Sequence, residues 1–361
     1  MKVLAVAGAR PQFIKASVVG DELRKKHNEI LVHTGQHFDY NMSGQFFDEL
    51  GMPEPDYNLG ISGGSHAEMT GKMMIALEKV MLYEQPDWVL VFGDTNSTLA
   101  AALAAAKICL PVCHVEAGVR TNSMTNPEEI NRICTDHVST LLLASTPDAM
   151  ESMEKENLLC KAVFTGDPMF DAFKKYSDKK KITDMKLELL SGKVINVPDK
   201  FYYLTCHREE NTKDDKILAE ILSAMECLDY KVIYPVHPRN KERAVRISSL
   251  YGFKNILLTE PVGYFESICL VNNAEKIITD SGGLQREAFY AGKKCVTILD
   301  FITCKETMTD GRNVLCRPEK RDILDKLAKP QNVNMGYQPF GDGHSAKKIV
   351  EALENYKCNI N

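Results

Sequence analysis

The chain has 361 residues, 44% of them hydrophobic and 26% charged, which is the composition of an ordinary globular protein and leaves room for two domains. Its 44 basic and 49 acidic side chains give a net charge of −5, so the charge balance supports neither a nucleic-acid nor an anionic-membrane partner. The apolar run that begins at Met1 turns polar by Arg10, which is too short for a signal peptide or a membrane span. We therefore expect a cytoplasmic protein.

Short β-rich runs alternate with helical segments through the first half, which predicts repeated βαβ units and a parallel sheet. Strands are predicted at residues 3–7, 30–34, 88–92, 111–115, 141–144 and 162–165. Helices are predicted at residues 11–26, 41–50, 66–84, 97–107, 127–138 and 146–156.

A polar, Lys-rich stretch separates this half from a second series of alternating segments. The run at 174–181 is interpreted as a solvated helix or linker rather than a binding patch. Strands then follow at 201–205, 231–234, 255–259, 276–279 and 295–299, and a last helix at 345–356. The fold class predicted is α/β, with a second doubly wound domain after the first.

The 11 cysteines are scattered mostly within apolar segments, as at Cys109 and Cys206. Because neither a C-x-x-C pair nor a Cys/His ligand spacing occurs, the pattern favours reduced, buried thiols. No metal site and no cofactor are expected.

Acidic residues follow two neighbouring strands of the predicted first sheet and open a nearby helix. Asp94 comes after the strand at 88–92, Glu116 after the strand at 111–115, and Glu128 starts a helix. The ligand crevice of an open parallel sheet lies outside the carboxyl ends of its strands. We therefore expect Asp94 and Glu116 to converge on one pocket suited to acid–base chemistry on a bound ligand.

Each acid also has a structural interpretation. Asp94 can cap the next helix, and Glu128 can be a first-turn acid favoured by the helix dipole. Glu116 is harder to explain in this way, because an acid at a buried strand end needs partners or an altered pKa. Glu129 can pair with Arg132 on the helix surface, which gives it a structural role.

The first βα turn, Gly8-Ala9-Arg10-Pro11, is a candidate phosphate site. Free N–H groups at this turn, together with Arg10 and with Lys15 one turn further on, can meet a phosphate. The absence of a G-x-G-x-x-G pattern weakens a dinucleotide interpretation. A bare strand–turn–helix junction remains an equal alternative.

A second candidate phosphate site follows the predicted strand at 276–279. Ser281, Gly282 and Gly283 stand where a helix begins, so backbone N–H groups and the helix dipole can hold a pyrophosphate. Glu287, one turn into the helix, can accept hydrogen bonds from ribose hydroxyls. The alternative is a glycine turn required only by geometry.

Two histidines follow strands of the second half. His207 closes the strand at 201–205 beside Arg208, and His237 occupies the equivalent place on the next strand. A lone histidine is more often structural, but at a strand's carboxyl end it is a candidate for catalysis or a phosphate contact. A pocket with acids on one wall and phosphate donors on the other suits a sugar nucleotide.

At this point the motifs resemble those of the non-hydrolysing UDP-N-acetylglucosamine 2-epimerases, in order and across nearly the whole chain. The matching segments are Gly8-Ala9-Arg10-Pro11 with Lys15, Thr34-Gly35-Gln36-His37, Gly93-Asp94-Thr95-Asn96-Ser97, His114-Val115-Glu116-Ala117-Gly118 with Arg120, Pro127-Glu128-Glu129-Ile130-Asn131-Arg132, Thr205-Cys206-His207-Arg208, Ser281-Gly282-Gly283 with Glu287, and Pro339-Phe340-Gly341-Asp342-Gly343.

The resemblance implies a glycosyltransferase-B-like pair of Rossmann-like doubly wound domains with a cleft between them, and usually a homodimer. The expected division is a sugar-side catalytic domain of residues 1–168 with the C-terminal helix 345–361, and a UDP-binding domain of residues 169–344. The implied reaction removes the proton on C2 while UDP leaves C1, which gives a 2-acetamidoglucal. UDP then adds again after protonation from the opposite face, and the product is expected to serve surface polysaccharide synthesis.

Residue by residue, the resemblance places Asp94, Glu116 and Glu128 on the catalytic acids and His207 on a functionally important histidine. The UDP-binding positions are matched by Arg10, Ser281, Gly282, Gly283 and Glu287, with Lys15 and Arg132 as helpers; His237 joins them as a substrate-binding candidate. Gln36 and His37 match part of an allosteric region at which a second UDP-sugar binds in many bacterial members.

Departures from the common pattern leave the substrate open between two sugars. UDP-N-acetylglucosamine is the first expectation. Segments such as 37–43 and 64–71 resemble instead the branch that acts on UDP-2,3-diacetamido-2,3-dideoxyglucuronic acid. The common Thr-Glu-Arg-Pro-Glu appears as Ile302-Thr303-Cys304-Lys305-Glu306, and the gain of Lys305 suits a more anionic sugar.

Three other classes of function remain. A hydrolysing relative would release UDP and free N-acetylmannosamine, but those enzymes usually begin with Gly-Thr-Arg-Ala-Asp. A retaining glycosyltransferase shares the fold without needing the three acids. A non-catalytic UDP-sugar sensor needs neither the acids nor the histidine.

Overall fold

The computed structural model describes residues 1–36, 47–302, 304–309, 311–330, 333–334 and 336–356. Contacts divide the chain into two compact units: unit 1 comprises Met1–Lys174 and Gln338–Asn361, and unit 2 comprises Lys175–Tyr337. The division after Lys174 and the expected boundary after residue 168 both fall in the helix Pro168–Tyr176.

Unit 1 alternates strands and helices along the chain. Its strands are β1 (Lys2–Ala7), β2 (Asn28–His33), β3 (Tyr57–Asn58), β4 (Trp88–Phe92), β5 (Val112–Ala117), β6 (Leu141–Ala144) and β7 (Ala162–Phe164). Its helices are α1 (Arg10–Leu23), α2 (His66–Glu84), α3 (Asn96–Lys107), α4 (Pro127–Val138), α5 (Pro147–Lys155) and α6 (Pro168–Tyr176), with the 3₁₀ turn Leu159–Lys161.

The strands of unit 1 form a parallel sheet in the order β3-β2-β1-β4-β5-β6-β7. β4 reads Trp-Val-Leu-Val-Phe and is buried along its whole length, as expected of a strand covered by helices on both faces. The strand order reverses between β1 and β4. This reversal is the topological switch point at which doubly wound sheets bind their ligands.

Unit 2 repeats the same design. Its strands are β8 (Lys186–Glu188), β9 (Val194–Asn196), β10 (Phe201–Thr205), β11 (Lys231–Pro235), β12 (Ile256–Thr259), β13 (Ile277–Thr279), β14 (Cys295–Ile298) and β15 (Asn313–Cys316). Its helices are α7 (Glu209–Thr212), α8 (Asp215–Glu226), α9 (Lys241–Tyr251), α10 (Tyr264–Asn273), α11 (Gly282–Tyr290) and α12 (Lys320–Ala328), with 3₁₀ turns Ile182–Asp184, Pro238–Asn240 and Lys305–Met308.

The main sheet of unit 2 runs β12-β11-β10-β13-β14-β15, and all of its pairs are parallel. Its order also reverses between the first strand, β10, and the fourth, β13. The α/β class with two Rossmann-like units is therefore confirmed. It gives each unit one switch point.

The last helix, α13 (Ser345–Asn355), returns to unit 1. The Asp171 carboxylate accepts a hydrogen bond from the Ala346 N–H at 2.8 Å, and the Ser345 hydroxyl donates to the Gly166 carbonyl at 2.8 Å. These contacts anchor the start of the helix. Among the described helices, we find none that combines the length and the apolar character needed to cross a membrane.

The sequence interpretation missed several short elements. β3, β15 and the antiparallel β8-β9 hairpin were not expected. Cys109 and Cys160 are exposed, which differs from the expectation of buried thiols. Of the helix predicted at 41–50, residues 47–50 are helical and the rest lie outside the described residues.

Candidate active site

The first βα turn of unit 1 is held by a buried glutamine. The Gln12 Oε1 atom accepts hydrogen bonds from the N–H groups of Gly8 (2.8 Å) and Ala9 (3.0 Å), and its Nε2 donates to the Phe92 carbonyl at 2.6 Å. Gln12 therefore bridges β1 and β4 across the switch point. The expectation of free N–H groups here for a phosphate is wrong for Gly8 and Ala9, because Gln12 occupies both. Arg10 remains as the first residue of α1.

Asp94 lies directly after β4 and is bound by helix α4. The Arg132 guanidinium donates to Asp94 Oδ2 from Nε (3.0 Å) and from Nη2 (2.6 Å), and the Asn131 side chain donates to the Asp94 carbonyl at 2.9 Å. Thr95, not Asp94, caps the following helix. Within the described residues Asp94 Oδ1 has no hydrogen-bond partner, so one carboxylate oxygen is available to a ligand.

Glu116 forms an ion pair with Lys15, and the two side chains are only 11% and 6% exposed. The Glu116 backbone is left-handed, with φ +72°, and the register between β5 and β6 shifts at this point. A non-glycine residue in this conformation is strained, and such strain concentrates at functional sites. A Cβ built on Gly93 would lie 3.5 Å from Glu116 Oε2 and 3.6 Å from Lys15 Nζ. The turn that carries Asp94 thus lies beside this ion pair, as the strand-end argument predicted.

The two acids at the start of α4 differ in environment. Glu128 is exposed in the first helical turn. Glu129 is buried and accepts hydrogen bonds from the N–H groups of Thr121 and Asn122 and from Arg132. Burial alone raises the pKa of Glu129, but these donors outweigh it and hold the pKa below its ordinary value. Its structural role agrees with expectation, although the pair with Arg132 is buried rather than on the surface.

A polar chain that the sequence did not suggest continues from this turn. The Asn131 Nδ2 also donates to Asn96 Oδ1 at 3.3 Å, and the Asn96 side chain contacts the exposed His66 ring at 3.1 Å. Gln36 Oε1 accepts hydrogen bonds from the Ser97 N–H and hydroxyl, which supports the start of α3. His37 lies outside the described residues.

In unit 2, helix α11 begins at the carboxyl end of β13. The Ser281 hydroxyl caps it by accepting the Leu284 N–H at 3.4 Å. Gly282 and Gly283 are the first two residues of this helix, where N–H groups have no intrahelical acceptor. Glu287 is buried in the second turn. The local geometry is that of a helix N-terminus at a switch point, as the sequence indicated.

His207 contacts a buried carboxylate across the same switch point. Its Nδ1 lies 3.1 Å from Asp280 Oδ1, and Asp280 Oδ2 accepts the N–H groups of His207 (2.9 Å) and Arg208 (2.8 Å). Burial raises the pKa of Asp280, but the His207 and backbone donors lower it overall. His237, at the end of β11, has its pKa lowered by burial and by the charges of Arg239 and His207. Asp280 was not singled out from the sequence, although it precedes the Ser281 motif.

The class of the protein follows from these features. It is a two-unit, doubly wound α/β protein. Unit 1 carries two carboxylates with bound cations at its switch point, which are groups that can transfer protons. Unit 2 carries a histidine and a helix N-terminus at its own switch point, which are groups that can bind an anion.

Comparison with known proteins gives the family. The family model described as UDP-N-acetylglucosamine 2-epimerase matches residues 21–354. A UDP-2,3-diacetamido-2,3-dideoxy-D-glucuronate 2-epimerase from Pseudomonas aeruginosa is 42% identical, with 98% of this chain and 99% of that protein covered. A UDP-N-acetylglucosamine 2-epimerase from Methanococcus maripaludis is 39% identical, with 98% of each covered.

A solved structure agrees with this result. The crystal structure of the Methanocaldococcus jannaschii UDP-GlcNAc 2-epimerase in complex with UDP-GlcNAc and UDP superposes with a TM-score of 0.85 at 37% identity, covering 99% of this chain and 100% of that one. The chain belongs to the UDP-N-acetylglucosamine 2-epimerase family. The resemblance read from the motifs is therefore confirmed, and so is the expectation of an isomerase.

Proposed function

We propose that this chain inverts C2 of a UDP-linked N-acetylated sugar, with UDP-N-acetylglucosamine and UDP-N-acetylmannosamine as the leading pair and surface polysaccharide synthesis as the use. The observation that carries the proposal is that Asp94 and Glu116 both lie beside Gly93, each bound to a cation from a neighbouring helix. Two carboxylates are the groups needed to take a proton from one face of a carbon and supply one to the other.

The C2 proton of the sugar is not acidic, so its removal must be coupled to departure of the leaving group. A carboxylate takes the proton, the C2–H electrons form the C1–C2 double bond, and the C1–O electrons leave with UDP. The intermediate is a 2-acetamidoglucal. UDP then attacks C1 again, and C2 receives a proton from the opposite face. We assign this proton transfer to Asp94, Glu116 and Glu128.

The nucleotide half is assigned to unit 2. Ser281, Gly282 and Gly283 offer backbone N–H groups and a helix dipole to the diphosphate without any net positive charge. Glu287 is assigned to the ribose, and His207 and His237 to the phosphate oxygens or the departing UDP. Because the whole chain carries a charge of −5, such local donors are what an anionic nucleotide requires.

The basic residues of unit 1 have partners that refine their assignment. Arg10 and Lys15 are assigned to the diphosphate, with Arg132 as a helper. Lys15 also neutralises Glu116, and Arg132 also orients Asp94. Both cations therefore bind the catalytic acids when no nucleotide is present. Substitution of either cation is expected to lower turnover, because the acid loses its position, as well as to lower the affinity for the nucleotide.

The alternative substrate is UDP-2,3-diacetamido-2,3-dideoxyglucuronic acid. The relatives at 42% and 39% identity carry the two different substrate names, so similarity does not separate the sugars. Turnover of both donors should be measured side by side at equal concentration. The leading proposal expects the higher kcat/KM with the plain N-acetylglucosamine donor, and preferential use of the diacetamido-uronate would replace it with the alternative.

Two further properties belong to the proposal. We assign the enzyme to the cytoplasm, where UDP-sugars are made, and to a homodimer. Light scattering at micromolar concentration should give twice the monomer mass. A monomer mass with full activity would remove the dimer from the proposal.

Positional isotope exchange tests the chemistry. UDP-N-acetylglucosamine labelled with ¹⁸O in the bond between C1 and the β-phosphorus should redistribute the label to nonbridging phosphate oxygens as UDP leaves and returns. Epimer formation without label redistribution would contradict elimination of UDP. Release of free N-acetylmannosamine would favour a hydrolysing enzyme, transfer to an acceptor a glycosyltransferase, and binding without turnover a sensor.

A further inference from the structure

His114 lies in β5 with no solvent exposure, and its neighbours Val112, Cys113 and Val115 are apolar. It is two residues before Glu116, the catalytic candidate at the end of the same strand. A histidine at such a position needs partners for both ring nitrogens, because an unsatisfied buried polar atom is costly.

Both ring nitrogens of His114 contact hydrogen-bond acceptors. Nε2 lies 2.7 Å from the carbonyl oxygen of Gly93, and Nδ1 lies 2.6 Å from Oδ1 of Asp136. A carbonyl oxygen can only accept, so Nε2 carries hydrogen. An ionised carboxylate can also only accept, so Nδ1 carries hydrogen as well, and the ring is then an imidazolium.

The ionised state of Asp136 is supported by its other contacts. Its Oδ2 accepts the Gly118 N–H at 3.0 Å and pairs with Arg120 Nη2 at 2.7 Å. Burial raises the pKa of Asp136, but His114 and Arg120 together hold it below its ordinary value. Arg120 in turn donates from Nε to Glu156 Oε1 at 2.7 Å. Two cations and two anions thus alternate from His114 to the partly exposed Glu156, and the Lys161 ammonium donates to the Asp136 backbone carbonyl at 2.9 Å.

This chain of contacts ends at the turn that carries Asp94. The Gly93 carbonyl belongs to the peptide bond that leads into Asp94, and the Gly93 N–H is bound to the Val115 carbonyl at 2.9 Å. With the Asn131 contact to the Asp94 carbonyl, three backbone groups of the turn are bound by residues of β5 and α4. Since Asp136, Asn131 and Arg132 all lie on α4, one helix sets both the turn and the carboxylate.

We propose that His114 is a positioning residue, a buried imidazolium that orients the Gly93–Asp94 turn and is held in this state by Asp136, Arg120 and Glu156. The role rests on the proposed function, because it assumes that Asp94 takes part in proton transfer at C2. His114 itself does not reach the reacting atoms.

NMR of the wild-type protein labelled with ¹⁵N-histidine tests the protonation state directly, and a variant serves only to assign the signals. Two slowly exchanging N–H signals from one ring are expected, assigned to His114 by their loss or shift in Asp136→Asn. A single N–H on this ring, with the other nitrogen unprotonated, would overturn the proposal. This result does not depend on the reaction catalysed.

Kinetics of His114→Gln with UDP-N-acetylglucosamine test the positioning role. Because a small misplacement of a catalytic group costs about 10²-fold in rate, kcat should fall by about that factor while KM changes by less than about threefold. His344→Gln, an exposed histidine of unit 1, is the matched control and should keep wild-type kinetics.

The outcomes separate the possibilities. A lower melting temperature with unchanged kcat would show a merely structural histidine and overturn the inference. If His114→Gln does not fold, Asp136→Asn takes its place with the same expected kcat loss. A wild-type protein that turns over no UDP-sugar would contradict the proposed function instead, and the NMR result would still decide the state of His114.

Discussion

The Lys15 ammonium and the Glu116 carboxylate form an ion pair in which both side chains are almost completely withdrawn from solvent. Lys15 comes from α1 and Glu116 from the end of β5, so the pair joins the two halves of the sheet across the switch point. Breaking a buried pair leaves an uncompensated charge, whereas removing both partners does not. The difference in stability between the single and the double substitution can be measured.

We predict strong coupling between these two residues. Lys15→Met should lower the free energy of unfolding by about 3–5 kcal/mol, because Glu116 loses the cation of a nearly dry ion pair. The double variant Lys15→Met/Glu116→Gln should be more stable than Lys15→Met alone. Urea unfolding of the wild type, Lys15→Met, Glu116→Gln and the double variant gives the coupling energy.

The matched control is the exposed pair of Lys72 and Glu68 on α2, whose side chains are 62% and 52% exposed. The same substitutions there should couple far more weakly, because solvent screens an exposed ion pair. Equal coupling in the two pairs would contradict the importance given to burial.

Asp94 should be required for turnover and not for nucleotide binding. Asp94→Asn keeps the size of the side chain and removes its basicity, so kcat should fall by about 10²–10⁴-fold. Calorimetry should show UDP affinity within a few-fold of wild type. Asp199→Asn, at an exposed position of unit 2, is the control. Turnover of Asp94→Asn at the wild-type rate would remove Asp94 from the catalytic set.

Asp280 should make stability depend on pH in the acid range. Its pKa is lowered in the folded protein from an ordinary value of 3.8, so its contribution is complete above that value and is lost as pH falls through the folded pKa. The difference in unfolding free energy between wild type and Asp280→Asn should therefore stay constant down to about pH 5 and shrink as the pH falls below 3.8. A difference that is constant with pH would contradict the ionised state of Asp280.

Two glycines should respond to alanine in opposite ways. A Cβ on Gly8 would overlap the hydroxyl oxygens of Thr34 and Ser97, so Gly8→Ala should lower the melting temperature and disturb the first βα turn. Gly71 lies inside α2, where a Cβ meets open space. Gly71→Ala should raise the unfolding free energy by about 0.5–1 kcal/mol. Scanning calorimetry of both variants measures the two changes in melting temperature. A stabilised Gly8→Ala would contradict the packing described around Gly8.

Much of the fold followed from local signals. Helices α2 and α4 were predicted with their observed bounds, and each begins at a local signal: Ser65 caps α2, and Asn126 with Pro127 starts α4. β4 is an uninterrupted apolar run. In contrast, β3 has two residues and the β8-β9 hairpin is polar, so neither carries a hydrophobic pattern that distinguishes it from a loop.

The positions of the candidate site residues were predictable where the sheet topology alone determines them. Parallel strands bring Asp94 and Glu116 to one edge in any doubly wound sheet, and Ser281 starts a helix beside a strand end by the same rule. The partners were not predictable. The pairing of Glu116 with Lys15 depends on a left-handed backbone, and the contact of His207 with Asp280 depends on neighbouring strands that are far apart in sequence.

The most direct test of the account is incubation with UDP-N-acetylglucosamine in deuterated water, followed at C2 by NMR. Proton removal and return from opposite faces predict a mixture of the two epimers with solvent deuterium at C2 of the product. Formation of the epimer with the original hydrogen retained at C2, or recovery of unlabelled sugar on an acceptor, would contradict the proposed chemistry.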